Sequence, residues 1–186
     1  MRRVLCISGK RFSGKDTLAG LLVDHARSAG IALATYAFAA ESKRLFAESR
    51  DDVDLARLLS DRDYKERWRP ALTQFTVDSI AADPLVFCRA VADRIAASAG
   101  PALITDLRLR LELDHLRTRF APYVVRVVRP DPARAAAGWV FDEAKDRHHT
   151  ETELDERALW DEVVDNSGSL AELSAQAASI VSRLVT

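Results

Sequence analysis

The residues with the clearest chemistry run from Gly9 to Thr17, in the order GKRFSGKDT. Gly9, four further residues, Gly14 and Lys15 reproduce the spacing of a phosphate-binding loop. Glycines there let the backbone wrap a chain of phosphates, loop amides donate to its oxygens, and the helix that follows adds positive potential. Lys15 is placed to reach the outer phosphates and to follow the charge that moves during transfer. The run Gly9, Lys10, Arg11, Ser13, Gly14, Lys15, Asp16 and Thr17 is therefore read as nucleotide-binding, with Lys10, Lys15 and Asp16 catalytic. Asp16 stands where such loops carry Ser or Thr as a magnesium ligand. A carboxylate there can hold a hard cation, directly or through its water shell. It can instead orient or deprotonate an acceptor hydroxyl, or simply favour the helix start.

Asp106 ends a predicted strand beside this loop and is read in two ways, as a catalytic, magnesium-ordering acid or as a helix N-cap. Arg126, Arg129, Arg134, Lys145 and Arg147 gather around a polar stretch that could close over ATP and exclude water. His148 and His149 are adjacent and have no third ligand at metal spacing, so structural or substrate-contacting roles are favoured. Trp68, Trp139 and Trp160 are assigned to packing, and Cys88 to an inert apolar helix face.

These residues need elements to hold them. Val4 to Ile7 reads as a buried strand feeding the loop, and Leu18, Leu21 and Leu22 recur at helical steps until Gly30. Ile31 to Phe38 is predicted as a second strand, residues 41 to 98 as mostly helical with a break at Asp83-Pro84, and Ala102 to Thr105 as a third strand. A helix through Leu111 and Leu116, a strand over Tyr123 to Val128, a short strand at Val163-Val164 and an amphipathic helix over Leu170 to Leu184 complete the chain. Strands alternating with helices imply an α/β fold with a mostly parallel sheet, which binds ligands beyond its carboxyl-terminal strand ends. Gly9–Thr17, Asp106–Arg108 and Arg126–Arg129 all fall there.

Its 186 residues suit one domain, and 27 Lys and Arg against 28 Asp and Glu leave no basic excess for a nucleic-acid backbone. Two distant cysteines form no disulfide framework and favour a reducing, cytoplasmic setting, and no apolar run approaches membrane-spanning length.

The loop GKRFSGKD resembles the GKRKSGKD loop of the P-loop phosphomevalonate kinases, a group unrelated to the GHMP-fold enzymes. The likeness continues through Tyr64-Lys65-Glu66, Ala82-Asp83-Pro84, Phe87-Cys88-Arg89, Arg126-Val127-Val128 and Gly138-Trp139-Val140-Phe141 to Asp165-Asn166. It implies a P-loop NTPase fold of three α/β/α layers, nucleoside monophosphate kinase-like. Residues 1–186 would form one domain, with a helical acceptor-binding region over 41–98 and a lid over 130–153. It implies transfer of the ATP γ-phosphoryl group to a small phosphate or hydroxyl acceptor, with magnesium at Asp16 and Asp106, by a monomer or small homo-oligomer. Lys43, Lys65, Arg69, Arg89, Arg108 and Arg126 fall on positions basic in the family and are expected to bind phosphates, and Asn166 on a position near substrate.

Three sites depart from the pattern. Ser79-Ile80 replaces a Lys-Arg pair, Leu109 replaces the second arginine of Asp-Thr-Arg-Arg, and Ala137 replaces an arginine that Arg134 could supply one turn earlier. Ile80, Leu107 and Leu109 are expected to make part of the acceptor pocket apolar, with a weaker hold on phosphomevalonate. His149-Thr150-Glu151 also resembles a His-x-Ser/Thr-Glu pattern of deoxynucleoside monophosphate kinases, which leaves that activity as a rival. A non-catalytic nucleotide-binding protein is a second rival, disfavoured by the intact Lys15 and Asp16.

Overall fold

An unbroken apolar run such as Val4–Ile7 can bury both faces of its strand, as a central parallel strand must. In the computed structural model, which describes residues 3–156 and 159–185, it does. The strands are β1 (Arg3–Gly9), β2 (Ala34–Tyr36), β3 (Ala102–Ile104), β4 (Ala121–Val128) and β5 (Glu162–Asp165). They form one sheet in the order β2-β3-β1-β4-β5, parallel at every ladder, with Ser8 in register with Arg126. The helices are α1 (Lys15–Ser28), α2 (Phe38–Glu48), α3 (Leu55–Ser60), α4 (Arg62–Ala82), α5 (Val86–Ala97), α6 (Arg110–Arg119), α7 (Asp131–Ala136), α8 (Glu143–Asp146), α9 (His149–Thr152) and α10 (Leu170–Val185).

Alternate strand residues face opposite sides, and the core divides accordingly. Val4, Cys6, Ile104 and Val124 pack against Val91 and Ile95 of α5 and Leu113 and Leu116 of α6. Leu5, Ile7, Val125 and Val127 pack against Leu18 and Leu22 of α1 and Leu173 and Ile180 of α10. The result is the three-layer α/β/α arrangement expected. Each fully buried leucine contributes about 1.5–3 kcal/mol, so the two layers fix where β1 ends and its loop begins. Burial also raises the pKa of the Cys6 thiol, and that of Cys88 to about 12, which keeps both in the unreactive protonated form.

The second strand is shorter than expected. The Ile31 amide closes α1 by donating to the Ala26 carbonyl at 2.8 Å, and the Phe38 amide is taken by Asp106 as α2 begins, which leaves Ala34–Tyr36 extended. Between β2 and β3, α3 and α4 are started by Asp54 and Asp61, whose side chains accept from Arg57 N and Tyr64 N. The Asp83-Pro84 break separates α4 from α5. The stretch between β4 and β5 carries the short helices α7, α8 and α9. Among the described residues no helix is long and apolar enough to cross a membrane.

Candidate active site

The loop between β1 and α1 is shaped by two glycines. Gly9 has φ 156°, and a Cβ there would lie 2.7 Å from both the Val127 carbonyl oxygen and Ser13 Oγ. Gly14, at φ 96°, precedes α1, and its missing side chain leaves room for Asn166, whose Nδ2 donates to the Ser13 carbonyl at 2.8 Å. Phe12 holds φ 59°, a conformation that costs a non-glycine residue on the order of 1–3 kcal/mol and is typical of strained functional loops.

Lys15 is buried and folds back on its own loop, donating from Nζ to the Gly9 carbonyl at 2.7 Å and the Lys10 carbonyl at 3.0 Å. Burial pulls its pKa down to about 8; Arg108 and Arg126 push the same way, while Glu151 and Asp16 oppose them. Asp16 and Thr17 stand exposed at the first turn of α1, and no described residue pairs with the Asp16 carboxylate. A cavity of about 330 Å3 opens here, lined by Phe12, Gly14, Lys15, Asp16, Thr17, Arg129 and Ala137. Loop amides, an ammonium and a free carboxylate suit a nucleotide's phosphates with a hard cation.

The far side of the loop is bound to the segment after β4. Arg11 makes three of these contacts: its amide donates to Glu151 Oε2 at 2.8 Å, its carbonyl accepts from Arg134 Nε at 2.9 Å, and its Nη1 meets Asp146 at 3.0 Å. Arg134 is buried and stacks 3.9 Å from the Trp139 ring centroid. Lys10 pairs with Asp155 at 2.8 Å, and Asp155 also takes Arg126, which donates to Ser8 Oγ and lies over Trp160. A cavity of about 580 Å3 lies between loop and lid, and Ser13 Oγ, Arg129 Nε and Arg134 Nη2 among its lining residues are buried without a hydrogen-bond partner. Trp139 and Trp160 pack as expected, their Nε1 atoms donating to Asp146 and to the Leu154 carbonyl.

On the α2 side, Arg108 follows β3 and is fixed twice. Glu112 accepts from the Arg108 and Leu109 amides at 2.8 and 2.9 Å, and Arg108 Nη1 donates to Glu151. Burial pushes the Glu112 pKa up to about 7. Asp106 uses both carboxylate oxygens to cap α2, accepting from Phe38 N at 2.9 Å and Ala39 N at 3.0 Å. It is thus a helix cap, though of a helix far from it in sequence, and burial raises its pKa. A metal role is left to its remaining lone pairs; the described residues contain no group of three acidic, His or Cys side chains poised for a metal. Lys43 and Lys65 carry no ion pair among the described residues. Burial lowers the Lys43 pKa, with Lys65 adding to the fall and Asp106 opposing it, so the three side chains lie within electrostatic reach.

Other expected acceptor residues are placed differently. Arg69 is exposed and pairs with Glu66 on its own helix, and Arg89 pairs with Asp83. Asn166 braces the phosphate loop from behind. Leu107 is fully buried in the core on the α5–α6 side, so it offers no surface to an acceptor. Sequence reasoning passed over Asp155 and Glu112, and met Glu151 only within the His149-Thr150-Glu151 pattern. Their signal was an acid close in sequence to Arg108 or in the stretch before β5, which is common on any surface and became distinctive only once the fold set Asp155 between Lys10 and Arg126 and buried Glu112 at the Arg108 turn.

A family model described as phosphomevalonate kinase matches residues 7–122. The phosphomevalonate kinase of Drosophila melanogaster is 28% identical over 169 residues, covering 88% of this chain and 87% of that protein. Among solved structures, an APS kinase of Mycobacterium tuberculosis in complex with AMPPNP and APS superposes with a TM-score of 0.57 at 15% identity, over 100% of this chain and 98% of that one. A gluconokinase of Sinorhizobium meliloti reaches 0.55 at 18% identity, over 99% and 95%. The dephospho-CoA kinase of Campylobacter jejuni reaches 0.53 at 12%, over 98% and 97%.

Proposed function

The chain belongs to the phosphomevalonate kinase family, and on that premise we propose that it transfers the γ-phosphoryl group of magnesium-bound ATP to the phosphate of phosphomevalonate or a closely related anionic acceptor. The bond from the γ-phosphorus to the β,γ-bridging oxygen breaks, an acceptor phosphate oxygen forms the new bond, and ADP leaves. The observation that carries the acceptor side is the Lys43–Lys65 pair, two cations without an ion pair among the described residues, with Asp106 within electrostatic reach of Lys43. Two ammonium groups held close together repel unless an anion joins them, and an acceptor phosphate fills that role.

Lys15 must leave the Gly9 and Lys10 carbonyls to meet the phosphates, where their charge restores its proton affinity. Loop amides hold the β-phosphate, and Arg129 and Arg134 supply N–H groups from the lid side. A phosphate acceptor has its second pKa near 6 and reaches the site largely deprotonated, so no base is needed. The Asp16 carboxylate therefore serves as the magnesium ligand, directly or through water. Magnesium, when bound, draws charge from the phosphate oxygens.

An ADP-release screen over phosphomevalonate, nucleoside monophosphates and unphosphorylated alcohols tests the reading. Phosphomevalonate is expected to give the highest kcat/KM; a preference of about tenfold or more for a nucleoside monophosphate or an alcohol overturns the acceptor assignment. Asp16→Ser should restore part of the activity lost in Asp16→Ala, with the rescue growing as magnesium is raised. An absence of rescue at any magnesium concentration counts against the ligand role.

A further inference from the structure

Glu151 belongs to neither the phosphate loop nor the acceptor helices, yet it touches both sides of the reacting centre. It lies in α9 and is 6% exposed. One carboxylate oxygen accepts from the Arg11 amide at 2.8 Å, and the other accepts from Arg108 Nη1. Arg11 is 140 residues away in the chain and Arg108 is 43, so neither contact is local. An oxyanion clamped between a phosphate-loop amide and a guanidinium is held by the same chemistry that binds a phosphoryl oxygen. The neighbouring backbone is tied down as well, because the Arg110 amide donates to Glu153 at 2.8 Å.

We propose that Glu151 is a positioning residue for phosphoryl transfer, holding the phosphate loop at Arg11 and the guanidinium of Arg108 in one register from the lid. Arg108 and Lys15 then meet the transferring group together only while α9 is seated. The inference rests on the transfer reading above.

A scaffolding acid would serve through its shape alone, whereas a positioning acid also acts through its charge on the groups it faces. The Glu151 charge faces the Arg108 guanidinium directly, while its second oxygen needs only an acceptor for the Arg11 amide.

Two variants separate the cases. Glu151→Gln keeps an oxygen to accept from Arg11 but has no charge for Arg108, and Glu151→Ala removes both contacts. With the best acceptor of the screen, kcat/KM for that acceptor should fall by about tenfold or more in Glu151→Gln and further in Glu151→Ala. KM for ATP should stay within about threefold. In parallel, hydrogen exchange at the Arg11 amide should speed up by about tenfold or more in Glu151→Ala and by less in Glu151→Gln, with the melting temperature of Glu151→Gln near parental. The exchange arm needs no acceptor, so it reads Glu151 even if the screen finds no transfer. If Glu151→Gln keeps parental acceptor kinetics, or exchange at Arg11 does not change in Glu151→Ala, the positioning role is wrong.

Discussion

The phosphate loop has mostly paired cations on one flank and, on the other, two lysines without an ion pair beside paired arginines such as Arg44 and Arg94. Toward the segment after β4 most are paired: Lys10 and Arg126 meet Asp155, Arg11 meets Asp146 and Arg134 meets Asp131, while Arg129 keeps a buried Nε without a partner. On the α2 flank Lys43 feels the charges of Lys65 and Asp106, and neither lysine has an ion pair among the described residues. A paired cation already has a partner for its charge and contributes order, whereas an unpaired one retains affinity for a ligand. Counting basic residues, as the motif comparison invites, does not separate the two. Arg69 and Arg89 show the point, since both were expected at the acceptor and both are neutralised by their own neighbourhood.

The contrast can be broken most forcefully at the residue both flanks share. Lys15→Met should lower kcat by about three orders of magnitude or more, because the ammonium acts on charge in the transition state. The melting temperature should change little, and near-normal turnover would remove the phosphate-loop assignment altogether.

A finer test exchanges one cation from each flank. Lys43→Met should raise the acceptor KM about tenfold or more while leaving ATP KM and melting temperature near parental values. Arg126→Met should instead cost about 2 kcal/mol of stability, discounted because Asp155 is partly exposed, and lower the melting temperature by about 4–8 °C. Arg69→Ala should alter neither parameter beyond about twofold. If Arg126→Met leaves stability intact and raises only the acceptor KM, the division between paired and unpaired cations fails.

The smallest effect concerns the acid that shapes the Arg108 turn. Glu112 has its folded pKa raised to about 7 from 4.5. Between those values the folded protein keeps a proton that the unfolded chain has released, so its contribution to stability is full below about pH 4.5 and is lost as pH rises through 7. Glu112→Gln should flatten that decline, which is on the order of 2 kcal/mol, in denaturant titrations at pH 5 and pH 7.5. Parallel curves for both proteins would show that the Glu112 carboxyl is already ionised at pH 5.

What could be read from the chain alone was what neighbouring residues decide between themselves. The loop spacing of Gly9, Gly14 and Lys15, the apolar run that makes β1 central and the Asp83-Pro84 break follow from backbone sterics and local burial. The sequence was therefore sufficient for the parallel α/β architecture and for the loop that sets Lys15 and Asp16 between β1 and α1. It misread the span Ile31–Phe38 because an alternating pattern says nothing of the Phe38 amide that Asp106 captures from 68 residues away. Whether a side chain such as Leu107 turns into the core or toward a ligand likewise depends on which layer covers it. The partners of Arg126, Arg108 and Arg11 lie 29, 43 and 140 residues away. Only the sheet order, with β4 beside β1 and the lid stretch returning over both, brings those charges within reach. Coulombic pairing in a buried setting is decided by distance in space, which the spacing of residues along the chain does not encode.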